Sequence, residues 1–455
     1  MDIKISLIGA GSGAFSLSLI RDICLTKNLE GCTVSFMDIN LERLEGSYNV
    51  CRRYAEELGV HLNFEKTLDR AESLQGADFV INTALAAGHH RLRGGWEIAR
   101  SHGYRWGGSL AIMHDEAFWI DFYQLRLFES VVQDVLRICP NAWYLQVANS
   151  VLGGTTYLTR KYPQIKMTGL CHGFGGVYHV ADLLDLEPNC GKIDKKQLTF
   201  ELPGVNHFIW LTKMFYKGQD CMPLFAEWVE KKSAKYFETC NESDHMGPKP
   251  VDIYRRMGAV PIGDTATVGG GTWGWWYHTD EETEKRWKEN PAKWWNWYFD
   301  WVASNASENY RIGQDPNAKM TEYLKPEMSG EQMVPIIESI ACDIPRTFIV
   351  NIPNKGSYVP GVPTDFAVEV PGLVSKRGIQ GIQTGGLPPL PLSYLLRDRV
   401  VPVELELEAY DQHSRHLLEE LVCMDPWTRS TQQAHDFVHD LLAMDGHAEI
   451  ESYYR

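Results

Sequence analysis

A short apolar run, Ile3-Lys4-Ile5-Ser6-Leu7-Ile8, leads directly into Gly9-Ala10-Gly11-Ser12-Gly13-Ala14. Beyond it Phe15, Leu19, Ile20 and Ile23 recur at helical spacing over 14–26. Strand, glycine turn and helix in that order restrict the fold more than any other stretch of the chain. Gly9 permits the tight turn, Gly11 lets the backbone approach a diphosphate, and Ala14 allows close helix–strand packing. The helix N-terminus then offers free N–H groups to phosphate oxygens. A second strand, Thr33-Val34-Ser35-Phe36-Met37-Asp38, ends on an acid placed to bind ribose hydroxyls. A carboxylate there repels a 2′-phosphate, so the pattern predicts NAD rather than NADP.

The alternation continues. A charged amphipathic helix over 41–58 is followed by strands at 64–67, 79–83, 143–149 and 167–171. This predicts an α/β fold with a Rossmann-like, doubly wound parallel sheet over 1–195. After about residue 195 the pattern changes. Strands are expected at 199–202 and 207–216, around Pro203-Gly204. An antiparallel pair, 348–352 and 366–370, is expected around Asn354-Lys355-Gly356, with helices at 392–424 and 431–444 and a Trp-rich helical stretch at 273–312. The reading is two domains: an NAD-binding domain, 1–195, and an α+β domain, 196–455, carrying catalytic, metal and oligomerisation functions.

Composition removes some classes of function. The 455 residues carry a formal charge of −15, leaving no basic surplus to neutralise a nucleic-acid backbone. No stretch approaches the roughly 20 apolar residues that span a membrane, and no leader peptide is visible, so a soluble cytoplasmic protein is expected. The ten cysteines include no Cys-x-x-Cys pair and read mostly as buried, reduced thiols.

Polar residues at the carboxyl ends of parallel strands face the ligand crevice of such folds. Gly9, Gly11, Ser12 and Asp38 are cofactor-binding candidates from the loop pattern, and Asn82, Thr83 and Asn149 are candidates to contact the cofactor ribose or the substrate, although plain strand-end caps have the same appearance. Cys171, in Cys171-His172-Gly173, and His207, in Gly204-Val205-Asn206-His207, offer thiolate and imidazole to a borderline divalent ion. Two such ligands leave coordination positions open for substrate oxygens; a buried thiol beside a core histidine is the alternative. Asp115 and Asp264, the latter in Pro261-Ile262-Gly263-Asp264-Thr265, are the candidate catalytic carboxylates.

Taken as an ordered set, these motifs resemble glycoside hydrolase family 4, the NAD- and Mn²⁺-dependent glycosidases. The set is Gly-Ala-Gly-Ser at 9–12, Met-Asp-Ile at 37–39, Ala-Asp-Phe-Val-Ile-Asn-Thr-Ala at 77–84, Cys-His-Gly at 171–173, Gly-Val-Asn-His at 204–207, Pro-Ile-Gly-Asp-Thr at 261–265 and Asp-Pro-Trp-Thr-Arg-Ser at 425–430. Cys-His-Gly is similar to the α-glucosidase and α-glucuronidase branch, where 6-phospho-glycosidases usually have Cys-Asn. The resemblance implies Cys171 and His207 as Mn²⁺ ligands, with Co²⁺ and Ni²⁺ permitted by the same donors. It implies Asp264 as base, His172 and Asp115 in acid–base or positioning roles, and Asn149 against substrate. The implied reaction on a small glycoside is C3 oxidation, C2 deprotonation, loss of the C1 leaving group, water addition and re-reduction, an exception to two-carboxylate glycosidases. Glucosides come first, with galactosides and glucuronides behind, and the family habit implies a homodimer or homotetramer.

The chain departs from the family in places. Asn149-Ser150 stands where Asn-Pro is common, and Gly269-Gly270-Gly271 follows the Gly-Asp-Thr motif where relatives carry polar residues. Trp273, Trp275, Trp276, Trp294, Trp295, Trp297 and Trp301 can stack on sugars but more often fill cores or interfaces. His89-His90-Arg91-Leu92-Arg93 could offer cations to an acidic sugar. A phospho-glycosidase, an NAD-dependent hydroxy-acid dehydrogenase and a non-catalytic NAD sensor are the competing readings.

Overall fold

The computed structural model describes residues 1–86, 88–108, 117–187, 191–270 and 273–455. Six strands lie parallel in the order β3-β2-β1-β4-β5-β6. They are β1 (Lys4–Ile8), β2 (Thr33–Met37), β3 (Asn63–Thr67), β4 (Phe79–Asn82), β5 (Trp143–Gln146) and β6 (Met167–Gly169). The order reverses between β1 and β4, which opens a crevice at the carboxyl ends. The helices α1 (Gly13–Leu25) and α2 (Leu41–Leu58) make the first two crossovers. Strands β1 and β4 are buried almost throughout, as a sheet covered on both faces requires.

The later strands are β7 (Leu198–Glu201), β8 (Gly204–Val205), β9 (Phe208–Leu211), β10 (Lys213–Tyr216), β11 (Gln219–Asp220), β12 (Val260–Ile262), β13 (Arg346–Pro353), β14 (Ala367–Ser375) and β15 (Gly378–Gly381). The expected antiparallel pair exists as β13 and β14, but it does not belong to a separate sheet. β13 pairs with β6, and the order continues β13-β14-β8-β9-β12, so one mixed sheet of twelve strands, counting β15 on β14, runs through both halves of the sequence. Among the described residues β7, β10 and β11 form a second, three-stranded sheet. The Trp-rich stretch begins as short turns and becomes one long helix, Pro291–Gln314.

Register explains how distant motifs meet. Gly169, Asn351, Glu369 and Gly204 are consecutive lateral partners across β6, β13, β14 and β8. Cys171 lies two residues past Gly169, and His207 lies in the two-residue turn joining β8 to β9. Both therefore emerge at one edge of the same row. The nine described cysteines are all free thiols. Among the described residues no helix is long and apolar enough to cross a membrane.

Candidate active site

The glycine loop has the geometry its sequence predicts. Gly9 has φ +84°, and a Cβ there would lie 2.6 Å from the Ala84 nitrogen. Gly11 N–H donates to Asp38 Oδ2 at 2.8 Å, and Asp38 Oδ1 accepts from Asn40 N–H at 2.8 Å. A Cβ on Gly11 would meet that same Oδ2 at 2.8 Å, so the loop and the acid are built against each other. Ser12 is the N-cap of α1 but its side chain makes no capping bond, leaving the first N–H groups of a 13-residue helix to other acceptors. These features fit a dinucleotide diphosphate and ribose. Asn309, from the long helix Pro291–Gln314, covers the loop beside Gly13.

Asn82 and Thr83 turn inward. Asn82 is fully buried, with Nδ2 donating to the Tyr144 hydroxyl at 2.9 Å and Oδ1 accepting from Ala84 N–H at 3.1 Å. Thr83 Oγ1 donates to the carbonyls of Ile8 and Gly9, both at 3.1 Å. In this structure Thr83 ties β4 to the glycine turn, and Asn82 ties it to β5.

Beside the loop lies a cavity of about 630 Å³ that brings together Asn149, Cys171, His172, His207 and Asp264. Phe15, from the first turn of α1, lines it too, so the nucleotide helix forms part of its wall. His207 occupies the left-handed region, φ +57°, in the β8–β9 turn. Its Nε2 lies 3.4 Å from Asp264 Oδ2. Cys171 is in hydrogen-bond contact with His207, and its Sγ accepts from Gly173 N–H at 3.4 Å. Burial pushes the thiol pKa up, against the pull of the His207 imidazole. Thiol and imidazole side by side, with a carboxylate within reach, are a donor set that suits a borderline divalent ion. Among the described residues no group of three or more His, Cys, Asp or Glu side chains is arranged to hold a metal ion, so Cys171 and His207 alone are a partial donor pair.

Asp264 follows β12, which pairs with β9, and this places it opposite the His207 turn. Its Oδ1 accepts from the Thr267 hydroxyl at 3.2 Å, and Thr265 Oγ1 anchors the loop to the Ile209 carbonyl at 3.0 Å. Gly263, φ +58°, packs so closely on the Cys171 loop that a Cβ would lie 2.7 Å from the Gly173 oxygen. His172 is exposed to the cavity, with its ring near Gly175 and Gly330 and Nδ1 3.9 Å from Glu331 Oε1. Asp115 lies outside the described residues. Asn149 follows β5, and its carbonyl accepts from Gln124 Nε2.

Several residues at the site carry no sequence signal. Glu369 is buried on β14 and accepts from Asn206 Nδ2 at 2.8 Å. Burial pushes its carboxyl up to about 7, with His207 and Asn206 pulling the other way. Glu331, Tyr178, His179, Lys195 and His245 line the cavity without belonging to any motif. The two arginines of 89–93 are engaged elsewhere: Arg91 lies 4.3 Å over the Tyr123 ring, and Arg93 pairs with Glu97 at 3.3 Å. Of the tryptophans, Trp295 and Trp273 are buried, Trp294 packs near Gly269 beside Asp264, and Trp297 stacks on Trp301 at the surface.

Residues 4–186 match the model "Family 4 glycosyl hydrolase", and residues 202–428 match "Family 4 glycosyl hydrolase C-terminal domain". An alpha-galacturonidase of Thermoanaerobacter italicus is 23% identical over 94% of this chain and 92% of its own length. An alpha-glucosidase of Erwinia rhapontici is 26% identical over 93% and 94% respectively. The solved 6-phospho-alpha-glucosidase from gut microorganisms, in complex with NAD and Mn²⁺, superimposes with a TM-score of 0.79 at 18% identity, covering 98% of each chain. The two family models together span nearly the whole sequence: the chain belongs to glycoside hydrolase family 4 and is a glycosidase.

Proposed function

We propose that the protein cleaves small α-glycosides by a redox-neutral elimination and hydration at the sugar ring, with NAD and Mn²⁺ as cofactors. The observation that carries this reading is the convergence of Cys171, His207, Asp264 and Asn149 in one cavity whose wall includes Phe15 from the glycine-loop helix. Related proteins named for α-linked sugars, and a related fold solved with NAD and Mn²⁺, support it.

The nucleotide would be held by Gly9, Gly11, Ser12 and Asp38, and the metal by Cys171 and His207. When bound, NAD⁺ supplies a hydride acceptor and Mn²⁺ a Lewis acid toward sugar oxygens. The remaining tasks belong to this chain's side chains. Asn149 orients sugar hydroxyls. Asp264, held by Thr267 on one oxygen, takes the C2 proton of the sugar once C3 is at the ketone level, where that proton is acidic. His172, with Glu331 behind it, delivers a proton toward the departing C1 oxygen, a task Asp115 would share. Closely packed loops around Gly263 hold these groups against one another, and the same groups act in reverse as water adds.

A dehydrogenase would share the N-terminal sheet, so the fold does not separate the two readings; the family does. The test is nitrophenol release from a panel of α- and β-nitrophenyl glycosides, uronides and 6-phosphates. Each is assayed with cofactor-stripped protein, with and without NAD⁺ and Mn²⁺, in reducing buffer. Cleavage of α-glycosides that requires both additions is expected. Cleavage indifferent to both would reject the mechanism, and NADH release in proportion to substrate would favour the dehydrogenase.

A further inference from the structure

The cavity has a second wall that the reaction above does not use. It is made by Tyr178 and His179 of the short helix Gly176–Asp182, by Lys195, and by His245. Lys195 Nζ stands 4.2 Å over the Tyr178 ring, and among the described residues no carboxylate pairs with it. A ring face steadies an ammonium group without consuming its N–H donors, which remain available to a ligand. Next to it His179 is held by Tyr236, whose hydroxyl lies 3.3 Å from Nε2, and by Asp244 Oδ1 at 3.6 Å. The His245 ring is 6.3 Å from that of His179. Gly176 keeps this wall close to the reacting end, since a Cβ there would lie 3.1 Å from the Gly263 nitrogen and 3.8 Å from His245 Nδ1.

The lining holds one lysine and four histidines, all offering N–H donors, beside two carboxylates, Asp264 and Glu331. Both carboxylates lie near histidines of the reacting end, His207 and His172. We propose that Lys195, His179 and His245 form a binding subsite for a substrate carboxylate, so that the preferred sugar is a hexuronic acid; this rests on the glycosidase reading above. One ammonium with imidazoles beside it matches a monoanion. A phosphate dianion is better met by the paired donors of arginine, and no arginine is among the described lining residues.

The experiment compares kcat/KM of the NAD⁺- and Mn²⁺-loaded enzyme on nitrophenyl α-galacturonide and α-glucuronide, the matching α-galactoside and α-glucoside, and α-glucoside 6-phosphate. It is repeated with Lys195→Met and with Lys196→Met, an exposed neighbour outside the cavity. The uronides should lead by about ten-fold or more, as loss of a charge-assisted contact would require. Lys195→Met should raise KM for the uronides and collapse that preference, while Lys196→Met keeps it. Neutral or phosphorylated sugars preferred over uronides, or a preference that survives Lys195→Met, would overturn the subsite. If no glycoside is cleaved, the glycosidase reading has failed, and calorimetry with free galacturonate and galactose still decides the subsite. Uronate binding that weakens in Lys195→Met supports it; equal binding of both sugars rejects it.

Discussion

Gly263→Ala offers a sharp probe of how the site is held together. Two costs arise at this position. The backbone is left-handed, φ +58°, which an alanine adopts at a cost of about 1–2 kcal/mol. In addition, the new Cβ would sit 2.7 Å from the Gly173 oxygen and 2.9 Å from its Cα, about 0.7 Å inside ordinary contact with backbone that cannot rotate away. The Asp264 loop and the Cys171 loop must then part by a comparable distance. A displacement approaching 1 Å in a catalytic constellation costs up to about 100-fold in rate. Gly258→Ala isolates the first cost: its φ is +76°, with nothing within 4 Å of the added methyl. Both variants should lose a similar 1–2 kcal/mol in denaturant unfolding, with Gly263→Ala somewhat worse. Only Gly263→Ala should lose ten- to a hundred-fold in kcat/KM and bind Mn²⁺ more weakly by calorimetry. Equal activity in the two variants would refute the claim that this contact sets the spacing between Asp264 and the Cys171 loop.

Three other outcomes follow from the geometry. Cys171→Ser should abolish the thiolate absorption of the Co²⁺-loaded protein and lower metal affinity while unfolding normally, because a serine hydroxyl still accepts from Gly173 N–H, as Sγ does at 3.4 Å; an unchanged Co²⁺ spectrum would remove Cys171 from the ligand set. Glu369→Leu strands the buried Asn206 amide and should cost about 1–3 kcal/mol of stability, whereas Glu369→Gln retains an acceptor and should cost less; equal losses in chemical denaturation would contradict this. His278 is buried near Glu284 and Glu289, at 3.7 and 3.8 Å, yet burial pushes its pKa down to about 4 from 6.5. The folded protein therefore keeps this ring neutral where the unfolded chain binds a proton, so its contribution is complete above pH 6.5 and is lost as pH falls toward 4, by up to about 3 kcal/mol. His278→Gln should flatten that limb of a Tm-against-pH profile, and an equally steep limb would exclude His278 as its source.

Local signals in the sequence reached the parallel sheet and the glycine loop, because each strand and helix of that half declares its own period. Cys171, His207 and Asp264 were legible as motifs, although nothing local says that they meet. Their meeting depends on the row Gly169, Asn351, Glu369 and Gly204, a register between strands nearly two hundred residues apart. The same long-range pairing carries one sheet from the parallel half into the second half of the sequence. Strand β8 is only two residues long, too short to show a period. Asn82 illustrates a different limit: a polar residue at a strand end reads as crevice-facing, and here Tyr144 and Ala84 draw it inward. Lys195, His179 and His245 are isolated residues on separate elements, and only the packing of those elements makes them a wall.

In the proposed reaction the glycosidic bond breaks after Asp264 removes the C2 proton. Hydrolysis of an α-glycoside carried out in D₂O, with the released sugar examined by NMR, tests it directly. Deuterium is expected at C2 of the product, introduced when the proton is returned from solvent, with loss of both cleavage and exchange in Asp264→Asn. A product formed at full rate with only protium at C2 would mean direct displacement at C1 and would exclude C2 deprotonation.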